Sequence, residues 1–220
     1  MLNFNLCLKN TLPKWIDLRS NAGCPDVLDD GTMINITYIS SVANCLRYIM
    51  KYEKMKEFQI SRIYIYYYTD NFNVNDVLKL ITNKGVCSEK DYPYDLSNID
   101  LFDFQNLQKF DINYMFIKNN IKNIKKYLEN YRPVIIKIPV PSDFEHNSDL
   151  SFPLKDFKKC ENNFYYIYTT IYGYRSTNKS FICMHSIGKN WGERGFFYVP
   201  YKYVKKYVKE ILVIENISYK

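Results

Sequence analysis

The stretch DDGTMINITYISSVANCLRYIM, Asp29 to Met50, is where the chain declares its architecture. Ile36, Ile39, Val42, Ala43, Leu46 and Ile49 recur three or four residues apart, which gathers them on one face of an α-helix. Asn35 stands just ahead as the expected N-cap, because its short side chain can accept a bond from the first unpaired N–H groups. The head of the helix is Ile36, a hydrocarbon that can attack nothing.

Outward from that helix, ISRIYIYYYTD (60–70) and VNDVLKLITNKG (74–85) read as further helices, the latter closed by Gly85 as a C′ residue. The second half changes character. PVIIKIPV (133–140), FYYIYTTIYGY (164–174), KSFICMHSI (179–187) and RGFFYVPY (194–201) are short β-branched or aromatic runs punctuated by Pro, Gly and Asn. Only NNIKNIKKYLEN (119–130) interrupts them with a helical pattern. A helical part followed by an antiparallel β part predicts an α+β protein of two lobes, with any site in the cleft between them.

The 220 residues are 47% hydrophobic, enough for a substantial core. No apolar run reaches membrane-spanning length, and the N-terminus lacks the apolar centre of a signal peptide, so an intracellular location is expected. The net charge of +7 is spread through mixed-sign stretches such as KYEKMKE, and only YKYVKKYVK is locally basic. A solvated surface accounts for this better than nucleic-acid binding. Cys7, Cys24, Cys45, Cys87, Cys160 and Cys183 include no CxxC pair and no zinc-ligand spacing, which predicts free thiols and no metal. Nothing in the sequence calls for a cofactor.

Five segments then occur in a telling order: LPKWIDLR (12–19), DDG (29–31) ahead of a helix, GVCSEKDYPY (85–94), IKKYLENYRPVIIKIPVPSDF (124–144) and GKNWGERGFFYVPYKYV (188–204). Together they resemble the papain-like cysteine peptidases, most closely a compact subgroup found in microbes and large DNA viruses. The resemblance implies one papain-like domain over 1–220. Within it, 18–107 would form a helical lobe, and 108–220 with 1–17 a lobe built on an antiparallel, barrel-like sheet. Family members place a Gln before a Gly at the oxyanion hole and a nucleophilic Cys at the head of the central helix. A His lies on a strand of the other lobe, oriented by an Asn on the next strand.

Carried over by motif, those positions hold other residues. The Gly after the family's Gln matches Gly31, which puts Asp30 at the Gln position and Ile36 at the Cys position. Counting back from Gly173-Tyr174 puts Ile167 at the His position. The family's Asn-Ser-Trp-Gly matches His185-Ser186-Ile187-Gly188, so His185 replaces the Asn, while Trp191-Gly192 are kept. A thiolate, an imidazole and an oxyanion donor are all required for the family's reaction. The expectation is therefore a pseudoenzyme with no catalytic residues, in which Ile36 packs near Ile167.

Substitutes are scarce. Cys45 lies nine residues along the helix from Ile36, on its far side, and is expected to be a buried thiol. Cys24, before Pro25, reads as structural, and Thr37 and Ser40 lack a matched base. Cys183 and His185 sit two apart on an expected strand and offer the one alternative, relocated hydrolytic chemistry. His146 falls in a polar loop and should be exposed. The groove segment YYTDNFNVNDV (67–77) has no glycine for pairing with a substrate backbone. The sequence thus points to a binding role with protein partners, as a scaffold or a virion component, ahead of relocated hydrolysis or a basic nucleic-acid binder.

Overall fold

In a computed structural model, the structure describes residues 12–21, 23–31, 36–69, 71, 73–95, 103–146 and 163–220. The helices follow their apolar periodicity and their caps. Helix α1 (Thr37–Tyr52) is buried from Thr37 through Met50, so it has no solvent face and is packed by α2, α3, β3, β4 and β7. Asn35 lies outside the described residues. Ile36 occupies the capping place with φ −104° and ψ 6° and makes no side-chain cap bond. Helix α2 (Arg62–Tyr68) begins at Ser61, whose hydroxyl accepts from the Tyr64 N–H. Helix α3 (Val74–Asn83) begins at Asn73 and ends as its sequence predicts. There Gly85, at φ +97°, donates its N–H to Leu80 O at 3.1 Å.

Strands β1 (Trp15–Asp17), β2 (Phe110–Phe116), β3 (Val134–Pro141), β4 (Phe164–Arg175), β5 (Ser180–Met184), β6 (Phe196–Pro200) and β7 (Glu210–Tyr219) build one antiparallel sheet. Its order is β2-β7-β3-β4-β5-β6, with β1 joined to β4. Helix α4 (Ile121–Glu129) lies between β2 and β3 in the chain, and α5 (Tyr201–Tyr207) between β6 and β7. The expected barrel is not closed: β2 and β6 end the described sheet without meeting. Strand β6 finishes at Pro200, which has no N–H to extend a ladder, and the chain turns directly into α5. β1, β2, β7 and α5 are additions to the elements expected from sequence. Gly173 is required where β1 meets β4, because a Cβ there would lie 2.4 Å from Ile16 O.

Central strand β4 is buried from Ile167 through Tyr174 and faces α1. The two are stapled at matched intervals. The Tyr168 N–H donates to Thr37 Oγ1 at 3.0 Å, Thr170 Oγ1 to Ser41 O at 3.2 Å, and Tyr172 Oη to Asn44 O at 3.0 Å. Alternate strand residues share a face, and helix positions 37, 41 and 44 share another, so the two periods come into step.

Candidate functional site

The family-type site would lie where the head of α1 meets β4 and the turn after β5. Residues 28–30 are zipped to residues 186–188 there: Asp30 N donates to Ser186 O at 2.8 Å, and Gly188 N to Leu28 O at 3.1 Å. Gly188 has φ +84°, and a Cβ on it would meet Asp29 Oδ2 at 2.7 Å, so the close approach depends on glycine.

Asp30 is buried and committed to its neighbours. Its Oδ1 accepts from Ser40 Oγ and from Arg62 Nη1, each at 2.6 Å. Arg62 also donates to Asp29 O at 3.0 Å and, through Nε and Nη2, to Glu89 at 2.9 and 2.6 Å, with the Tyr94 ring 4.2 Å away. Burial pushes the Asp30 carboxyl above the usual range, against the pull of Arg62 and the hydroxyls of Ser186 and Ser40. The carboxylate of Asp30, the residue that the resemblance assigns to the Gln position, is thus one end of an Asp–Arg–Glu clamp. Sequence reasoning missed Arg62 and Glu89, because Arg62 is 32 residues from Asp30 and 27 from Glu89.

Ile36 and Ile167 both have 0% exposure. Each directly precedes one partner of the Thr37–Tyr168 bond, so the resemblance's Cys and His positions flank one helix–strand staple. Ile167 is paired with Ile138 across β3 and β4, in aliphatic surroundings.

His185 falls one residue beyond β5 rather than within it, and its N–H donates to Gly195 O at 2.9 Å. Its ring is 1% exposed, with Phe144, Trp191 and Phe197 around it at centroid distances of 5.6, 5.3 and 6.2 Å. Nε2 lies 3.1 Å from Glu145 Oε1, a partner 40 residues away that spacing did not reveal.

The described cysteines, Cys24, Cys45, Cys87 and Cys183, are free. Desolvation raises all four thiols: Cys24 and Cys87 to about 11, Cys45 to about 12, and Cys183 further still. Cys45 is buried, as its place on α1 predicts, with its sulfur 3.8 Å from Pro133 O. Cys183 lies within the core, which removes the solvent access that relocated chemistry with His185 needs. His146 is exposed, as expected. Among the described residues no group of three or more His, Cys, Asp and Glu side chains could hold a metal ion. Nor is any described helix long and apolar enough to cross a membrane.

This helix-on-sheet arrangement, with loops of both halves meeting at the head of a buried central helix, is a papain-like fold. Xylellain, a cysteine protease from Xylella fastidiosa, superposes with a TM-score of 0.75 at 23% identity over 94% of this chain and 87% of that one. Digestive procathepsin L 3 of Tenebrio molitor gives 0.61 at 15% identity over 92% and 71%. A peptidase C1-like protein of Acanthamoeba polyphaga mimivirus is 25% identical, covering 95% of this chain and 78% of that protein. The papain family cysteine protease profile matches residues 71–214, and the chain belongs to that family.

Proposed function

We propose that this papain-family chain does not cleave peptides and works by contact, binding protein partners as a scaffold or as an assembly or virion component. One observation carries the reading: Ile36, which the resemblance assigns to the family's nucleophile position, is an aliphatic side chain with no exposed surface. Ile167 at the His position and His185 at the Asn position are equally enclosed, and the Asp30 carboxylate at the oxyanion position is engaged by Arg62. An aliphatic pair in place of a thiolate–imidazolium pair also avoids the cost of desolvating two charges. The similarity to a mimivirus protein supports a large DNA virus as source.

The test is a turnover assay of the purified chain on a mixed peptide library at neutral pH, read by mass spectrometry. The expected result is no new peptide termini above a buffer control. Cleavage that disappears in Cys24→Ala, Cys45→Ala or Cys183→Ala would overturn the proposal.

A further inference from the structure

We infer that helices α4 and α5 together form a contact face for the phosphate backbone of nucleic acid. This goes beyond the binding role proposed above and rests on different residues.

The sequence shows one basic segment, but folding sets a second beside it. Lys202, Lys205, Lys206 and Lys209 recur at three- and four-residue spacing along α5 and its C-terminal flank, and all four are exposed. Lys118, Lys122, Lys125 and Lys126 recur in the same way along α4 and its N-terminal flank; Lys118 and Lys122 are exposed, while Lys126 is half-buried and Lys125 is half-buried with its Nζ donating to Ser176 Oγ at 3.0 Å. Asn119 Nδ2 donates to Val204 O at 2.8 Å and to Val208 O at 2.7 Å, tying the start of α4 to the end of α5. Lys125 Nζ lies 4.6 Å from the Tyr201 ring, tying the middle of α4 to the start of α5. The two helices therefore run side by side in opposite directions, which brings both lysine-bearing segments to one region of the molecule.

Across 117–131 and 201–209 there are eight lysines and one acid, Glu129. Among the described residues none of the eight is in an ion pair. Like charges at helical spacing repel, so the stripes are held together against a small electrostatic cost that a polyanion would offset. A solvated helix face normally mixes both signs, as this chain does elsewhere.

Phosphate backbone fits better than a lipid surface. On these helices Ile124, Leu128, Tyr203, Val204 and Val208 are buried, and Ile121, Tyr127, Tyr201 and Tyr207 are partly buried against the core, so neither helix presents a fully exposed apolar residue to a bilayer. Lysine ammoniums are point charges that neutralise phosphate without reading bases, so no sequence preference is expected.

The experiment titrates the full chain against a fluorescent 20-base-pair duplex over a range of salt concentrations. Anionic vesicles of phosphatidylserine and polyglutamate are parallel ligands at equal ionic strength. The expected result is duplex binding whose log–log salt slope is about −4 to −6, at roughly 0.9 per phosphate contacted. The variant K122E/K205E/K206E should lose roughly 100-fold in affinity and flatten that slope by about 3. K56E/K79E/K90E, with the same charge change at exposed lysines elsewhere, should bind nearly as the parent does. No duplex binding by the parent would overturn the proposal, as would equal losses in both variants or equal binding of vesicles or polyglutamate. The parent's slope is read without any substitution, so the outcome does not depend on a variant folding. A peptidase result from the preceding section moves none of these readouts.

Discussion

Thr37 Oγ1 accepts a hydrogen bond from the buried backbone N–H of Tyr168 at 3.0 Å, fixing the head of the central helix to the central strand. The residues just before its two partners are Ile36 and Ile167, the positions that the proposed reading assigns to the family's cysteine and histidine. Thr37→Val keeps the shape but leaves the Tyr168 N–H without an acceptor. Urea unfolding should show a loss of about 1–3 kcal/mol, with Thr37→Ser recovering much of it. Equal stability of Thr37→Val and the parent would show that the staple contributes nothing.

The Asp30–Arg62–Glu89 clamp should be costly to break at its centre. Arg62 side-chain exposure is 7%, and its partners stand at 4% and 11%. Arg62→Met strands the buried Asp30 carboxyl and the half-buried Glu89 carboxylate and is expected to cost about 3–5 kcal/mol in denaturant unfolding. Adding Asp30→Asn to that variant should restore part of the loss. If the two substitutions simply add, the groups are not coupled.

Thiol chemistry gives a separate readout. Burial holds Cys24 and Cys87 near 11 and Cys45 near 12, so little thiolate forms at these positions at neutral pH. Iodoacetamide labelling mapped by peptide mass spectrometry should be slow at Cys24, Cys45, Cys87 and Cys183 at pH 7 in the folded protein. It should accelerate at all four in urea. Fast labelling of any one of them in the folded state would reveal an activated sulfur.

Asp17 supplies a pH dependence. Burial alone would raise its carboxyl, but the side-chain bond and charge of Arg19 together with the Arg19 N–H outweigh it, and the net shift is downward. A carboxyl lowered in the folded state stabilises above its unfolded pKa, and the contribution fades as pH falls below about 4. The stability gap between parent and Asp17→Asn should therefore be full at pH 7 and shrink by pH 3. A gap that stays constant would mean that the charge is not what stabilises.

Helices α1 to α4 were legible in sequence because caps and apolar spacing are local, whereas α5 was not. Gly85 closes α3 where its chemistry predicts, and the structure adds Ser61 and Asn73 as caps. β2 and β7 were not legible, because they pair with segments far away in the chain, as when Phe110 stands opposite Tyr219. The candidate site divides the same way. Motif spacing led to Asp30, Ile36, Ile167 and His185, but their partners Arg62 and Glu145 are 32 and 40 residues distant and became visible only through the fold. The lysines of α4 likewise joined those of α5 only once Asn119 had brought the helices together.

The most direct measurement is intact-protein mass after incubation with an irreversible epoxysuccinyl peptide, a reagent that alkylates the thiolate of papain-like peptidases, alongside an active family member. With an isoleucine enclosed at the helix head, the mass of this chain should stay unchanged while the active control gains one adduct. A stoichiometric adduct on a single cysteine of the folded chain would contradict a mode of action by contact alone.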